Sequence, residues 1–249
     1  MNINYATKTD SGSREVNEDT VLAAEYREGV IAILGDGLGG HGMGDIASQL
    51  AVEEAAKSLA SGGSLADAFN MAQDCVMKAQ ERLSAGNKMK TTLCVLRVCG
   101  EKAEIGHIGD SRIYCFQNGR FAFRTKDHSI PQMLVNSGEI KEEDIRFHEE
   151  RNRLLRVIGT EWDGPQYELE PVMVLKRHRL FGRKNKYAFL LCSDGWWELV
   201  NEQEMADTLS SSGTPEEWLK KMSCAIWKNG SGKEKDNNTA AAIFVNYDR

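Results

Sequence analysis

The chain has 249 residues, with 31 Lys and Arg against 37 Asp and Glu for a net charge of −6, and 41% of its residues are hydrophobic. This is an ordinary globular composition, long enough for one large domain or two small ones. With no clear linker, one domain over 1–249 is expected. Apolar runs such as 187–192 are strand-sized, far short of the roughly 18 consecutive apolar residues of a membrane helix.

Residues 1–10 lack the basic start and apolar stretch of a signal peptide. The six cysteines, Cys75, Cys94, Cys99, Cys115, Cys192 and Cys224, form no C-x-x-C pair and fit a reducing compartment. A cytoplasmic protein is therefore expected. A mildly acidic chain without a long basic run gives no support for nucleic acid as a partner.

In chain order, 20–26 and 30–35 are apolar, β-rich runs around a turn, and the second is apolar enough to be buried on both faces. The loop GDGLGGHGMG follows. Residues 45–60 carry Ile46, Ala47, Leu50, Ala51, Glu54 and Ala55 at spacings of three and four, an amphipathic helix. Ser61-Gly62-Gly63 stops it, and Ser64 caps a second helix reaching about residue 85.

Strands are predicted at 91–98, 103–108, 112–117 and 120–125, with Asn118-Gly119 supplying a tight turn. The charged stretch 126–153 reads as an excursion with short helical patterns. Segments 166–175 and 186–192 read as paired strands around a basic connection at 176–185. Helices follow at 202–210 and 215–228, then a last strand at 239–247. About ten strands joined by short turns imply antiparallel sheets, and about four helices must cover their faces.

Acidic residues recur where strands end: Glu18-Asp19, Asp36-Gly37, Asp110, Asp194-Gly195 and Asp236-Asn237. Singly, each is turn chemistry. Jointly, strand ends of one sandwich can bring carboxylates together. Like charges about 4 Å apart repel by roughly 4 kcal/mol at an effective dielectric of 20. Such a cluster must take up protons or bind a cation, and oxygen ligands suit Mg²⁺ or Mn²⁺.

Gly37-x-Gly39-x-x-Gly42 also has the setting of a dinucleotide fingerprint, but 57–63, where an acid should end a second strand, reads as helix end and loop. Asp36 would also face a pyrophosphate unscreened. His41 is either a solvated loop residue or a proton donor beside an ion site. Arg14 can pair with Glu18 or hold a phosphate through its planar fork. A cysteine-dependent phosphatase is excluded, because no cysteine has an arginine six residues later.

Arg14-x-x-x-Glu18-Asp19, DGLGGH from Asp36 to His41, Thr91-Thr92, GDSR at 109–112, KDHS at 126–129, SDGWWE at 193–198 and DNNT at 236–239 stand in a familiar order. In these motifs the chain resembles the metal-dependent serine/threonine phosphatases of the 2C type, as a compact bacterial member, over about residues 14–245.

The resemblance implies an α+β fold, an α-β-β-α four-layer sandwich of two central antiparallel sheets flanked by helices. It implies Mn²⁺ or Mg²⁺ as two ions with a third, weaker one. Asp36 would bridge the pair, the Gly37 carbonyl and Glu18 (through water) would serve the first ion, and Asp194 with Asp236 the second. Asp110 with Asp194 would hold the third, while Asp19 and Asn237 stand one layer behind. His41 would protonate the leaving oxygen and Arg14 would orient the phosphate. A water bridging the ions would hydrolyse phosphoserine and phosphothreonine, since divalent ions lower the pKa of water from about 15.7 to about 7.

Residues 129–153 match the flap of that family. Asn152 and Arg156 resemble the pattern at its exit, which makes Asn152 a weak substrate contact. Expected partners are phosphoproteins that are substrates of a serine/threonine kinase, with no nucleic acid, no membrane and a monomeric chain. The competing class is a phosphate- or nucleotide-sensing binding module of the same fold without turnover.

Overall fold

The computed structural model describes residues 1–27, 29–38, 42–177 and 185–247. Its apolar runs form two antiparallel sheets. One contains β2 (Asp19–Tyr26), β3 (Gly29–Asp36), β4 (Leu93–Cys99), β5 (Lys102–Ile108) and the short β8 (Glu168–Leu169), in the order β2-β3-β4-β5-β8, with β9 (Met173–Val174) also on β5. The other runs β1-β11-β10-β6-β7, from β1 (Asn2–Asp10), β11 (Asn238–Asn246), β10 (Lys186–Cys192), β6 (Arg112–Gln117) and β7 (Arg120–Arg124).

The sheets face each other across an apolar layer that includes Leu34, Leu96, Ile105, Ile113, Phe189 and Ile243. Helices α1 (Gly44–Ala60) and α2 (Leu65–Arg82) cover the first sheet. The second is covered by α5 (Glu202–Ser210) and α6 (Pro215–Asn229), whose Trp218 packs with Phe116 and Phe244. The short α3 (Ile130–Ser137) and α4 (Asp194–Trp197) lie beside the sheet ends. The architecture is the expected four-layer α-β-β-α sandwich. No described helix is long and apolar enough to cross a membrane.

Local expectations held where a side chain determines its own backbone. Ser64 caps α2 in a reciprocal box: its hydroxyl accepts from the Asp67 N–H at 3.1 Å, and Asp67 accepts from the Ser64 N–H at 2.8 Å. In α1 the buried stripe is Ala47, Ser48, Ala51, Val52, Ala55 and Leu59. Ile46, expected to be buried, is exposed instead. The α1 alanines pack in the cluster shared with α2 and the first sheet, and Ile46 lies off that buried stripe.

One expectation fails on long-range pairing, and one strand was not read from the sequence at all. Residues 166–175 do not pair with 186–192: β8 and β9 lie on β5, whereas β10 lies between β6 and β11. Segment 2–10, which has no apolar run, is a nine-residue strand in register with β11 from Asn2↔Asn246 to Asp10↔Asn238. An edge strand that is half exposed needs few apolar residues, so periodicity does not reveal it. Of the basic connection, 178–184 lie outside the described residues.

Leu34 is fully buried between the sheets, so Leu34→Ala should lower stability by about 2–5 kcal/mol. Urea unfolding followed by tryptophan fluorescence checks this.

Candidate metal and phosphate site

Antiparallel pairing sets Asp19, the first residue of β2, directly opposite Asp36, the last of β3. The Thr91-Thr92 pair fixes Asp36 through its backbone: its N–H donates to Thr92 Oγ1 at 3.0 Å, and its carbonyl accepts from the Thr91 hydroxyl at 2.9 Å and the Thr92 N–H at 2.9 Å. Gly37 must lack a side chain, because a Cβ there would lie 2.2 Å from the Gly44 carbonyl oxygen and 2.7 Å from that of Glu18.

Asp110 follows β5, Asp194 follows β10, and Asp236 precedes β11. Gly195 lets these last two loops meet, since its Cβ would fall 2.2 Å from the Asn237 carbonyl oxygen. A cavity of about 350 Å³ is lined by Arg14, Glu18, Asp36, Gly37, Leu38, Asp110, Asn152, Leu154, Asp194, Asp236 and Asn237. It gathers the sequence-predicted ligands, Arg14 and the flap residue Asn152.

Asp19 does not line the cavity; its Oδ2 accepts from the Ser193 hydroxyl at 2.8 Å while Oδ1 is buried without a partner. Asn237 accepts the Glu18 N–H at 2.9 Å and donates to the Ser11 and Val16 carbonyls. His41 lies outside the described residues.

Arg14 does not pair with Glu18. Its fork grips Asp236 through two bonds, of 3.1 and 2.9 Å.

The electrostatics are those of crowded anions. Asp36 and Asp194 keep part of their surface open to the cavity. Loss of hydration, followed by repulsion from neighbouring carboxylates, pushes both well above the usual carboxylate range. Burial, with Asp127 adding repulsion, raises Asp110 to about 7. Burial raises Asp19 to about 7 against two hydrogen bonds that favour its charge. An all-oxygen donor set with suppressed acidity fits a hard divalent cation.

Support residues that sequence reasoning had not assigned hold these turns. The Trp197 indole donates to the Asp110 carbonyl at 3.0 Å. The Arg112 guanidinium lies 3.5 Å over the Trp197 ring and grips Asp127 at 2.8 and 2.7 Å. Glu198 binds Arg151 of the 129–153 segment. The motifs GDSR, KDHS and SDGWWE contain these residues, but their mutual contacts exist only in three dimensions. A larger open groove of about 880 Å³ beside β7 does not include the acidic cluster. Its Arg124 and Arg146 pair with Glu142 and Glu202.

The profile described as Protein phosphatase 2C matches residues 9–223. The serine/threonine phosphatase stp of Listeria welshimeri is 31% identical over 96% of this chain and 94% of its own. PstP of Mycobacterium tuberculosis is 31% identical over 99% of this chain, which spans 46% of that protein's length. A crystal structure of the catalytic domain of serine threonine protein phosphatase PstP in complex with 2 manganese ions has a TM-score of 0.79 at 26% identity, covering 98% of this chain and 99% of that one. The chain belongs to the protein phosphatase 2C family.

A carboxyl whose pKa is raised by folding adds stability while protonated. That contribution is complete below the unfolded pKa of about 4 and is lost as pH rises through the folded value. For Asp19 and Asp110 the folded value is about 7, and for Asp36 and Asp194 the loss continues above it. The melting temperature of EDTA-treated protein should therefore fall between about pH 5 and pH 8, and Mn²⁺ should raise it more at the upper end. Calorimetric scans with EDTA or MnCl₂ at each pH check this.

Proposed function

We propose that this chain is a Mn²⁺- or Mg²⁺-dependent phosphatase that hydrolyses phosphoserine and phosphothreonine in proteins. The observation that carries the reading is one cavity in which Asp36, Asp110, Asp194 and Asp236, from four separate strand ends, meet the guanidinium of Arg14. Family membership and near full-length likeness to the Listeria phosphatase support it.

In this reading Asp36 would serve both ions of a pair, with the Gly37 carbonyl and, through water, Glu18 at the first and Asp194 and Asp236 at the second, and Asp110 with Asp194 would hold a third. Bound divalent ions neutralise phosphate charge and bring the acidity of water to neutral pH. Asn237 holds the Glu18 backbone, and Asp19, anchored by Ser193, backs Asp36. The Arg14 fork, which now grips a carboxylate, has the planar geometry to exchange it for two phosphate oxygens. His41 protonates the departing serine or threonine oxygen. Asn152 contributes a weak substrate contact from the 129–153 flap.

No side chain needs to form a covalent intermediate. The chain acts as a single catalytic unit and a monomer, reversing a serine/threonine kinase in a cytoplasmic signalling pathway.

Asp194→Ala should lower Mn²⁺-dependent hydrolysis of p-nitrophenyl phosphate by at least about 10²-fold, the equivalent of removing a few kcal/mol of ion-mediated stabilisation. Activity that persists in EDTA or in this variant overturns the metal-hydrolase reading. Retained phosphopeptide binding without phosphate release by the wild type would point to the sensing module.

His41→Ala should lose about 10²-fold or more on a phosphothreonine peptide and much less on p-nitrophenyl phosphate, because an alkoxide needs protonation and nitrophenolate does not. Steady-state kinetics on both substrates decide; equal losses remove the role from His41.

A further inference from the structure

A second group of ligating atoms lies on the far side of the Asp110 turn, outside the carboxylate cavity. His107, on β5, faces Glu168 of β8 in the strand register, and His128 comes from the loop after β7. Ligand atoms of these three residues lie within 4.8 Å of one another. His128 Nε2 is 3.5 Å from Glu168, and His107 Nε2 is 3.7 Å from Glu170, just beyond β8.

Both imidazoles are more than nine-tenths buried, at 0% and 8% exposure. Nevertheless both nitrogens of His107 and Nε2 of His128 have no hydrogen-bond partner. Buried polar atoms left this way call for an ion or an ordered water.

The rings of His107 and His128 are stacked, with centres 4.8 Å apart and 20° between their planes, and their ligand atoms and that of Glu168 all lie within reach of one ion.

Two imidazoles with carboxylates select a borderline first-row ion such as Zn²⁺, whereas the all-oxygen cavity suits Mg²⁺ or Mn²⁺. We propose that His107, His128 and Glu168, with Glu170 in reach, form a transition-metal site distinct from the phosphatase centre, binding Zn²⁺ or a similar ion.

His107 is the anchoring ligand. His128 accepts the Gly109 N–H at Nδ1 over a long 3.3 Å, which leaves its proton on Nε2. On binding, that proton shifts to Nδ1 and the long contact is given up. Glu168, about half exposed, gives the ion its way in from solvent. An ion here ties β5, β8 and the 126–129 loop together directly behind the turn that carries Asp110.

The test uses the full chain, stripped with EDTA and titrated with Co²⁺ as a spectroscopic stand-in for Zn²⁺. One equivalent should produce the intense visible absorption of a four-coordinate, nitrogen-containing site, and Zn²⁺ should abolish it. Glu168→Gln, at a half-exposed position that folding tolerates, should weaken this binding at least about 10-fold. His107→Gln should remove the band, while Asp194→Ala, in the other site, should retain it. Absence of the band overturns the proposal, as does a band unchanged in Glu168→Gln or lost in Asp194→Ala. Because the readout is absorption, it stands apart from phosphatase activity.

Discussion

Repulsion among carboxylates is the constraint that organises this protein. Asp19, Asp36, Asp110 and Asp194 are held where burial and mutual charge oppose their ionisation, so the unliganded cluster opposes the fold at neutral pH. Only a rigid frame keeps such groups together. The surrounding features serve that end: threonines clamp the Asp36 backbone, glycines at 37 and 195 admit close backbone approach, and the Trp197 indole holds the Asp110 carbonyl.

The cluster straddles both sheets. Asp19, Asp36 and Asp110 come from ends of one sheet, and Asp194 and Asp236 from ends of the other. Their spacing is therefore set by the apolar layer between the sheets, where Leu34, Ile113 and Phe189 pack. Interiors are dense and resist deformation, so the core transmits its geometry to the site. The Arg112–Asp127 pair, stacked on Trp197, links the Asp110 turn to the segment that enters the flap, and Arg151–Glu198 links its exit to α4.

Much of the site was legible in the chain because each ligand sits in a local signature, an acid beside glycine or another polar residue where an apolar strand ends. Glu18, Asp36, Asp110, Asp194 and Asp236 stood out from such signatures, the roles of Gly37 and Asn237 followed from the family resemblance, and all seven line one cavity. The preference of Arg14 for Asp236 over Glu18 was not legible, because it joins residues 222 positions apart. The Asp19–Ser193 bond spans 174 positions and was equally hidden. The imidazole pair was overlooked because His107 lies in an apolar run and gives no metal-ligand spacing with His128.

The sequence by itself determined the long helices and the strands that carry apolar runs, the Ser64 cap, the antiparallel class and the acidic positions, since these follow from periodicity, turn chemistry and the order of motifs within short stretches. Tertiary structure decided that 2–10 closes a sheet on β11, that 168–174 joins β5 and not β10, and that Ile46 faces water. Strand partners and helix faces are chosen by competition for burial among distant segments, and local residue patterns carry no information about the winner of that competition.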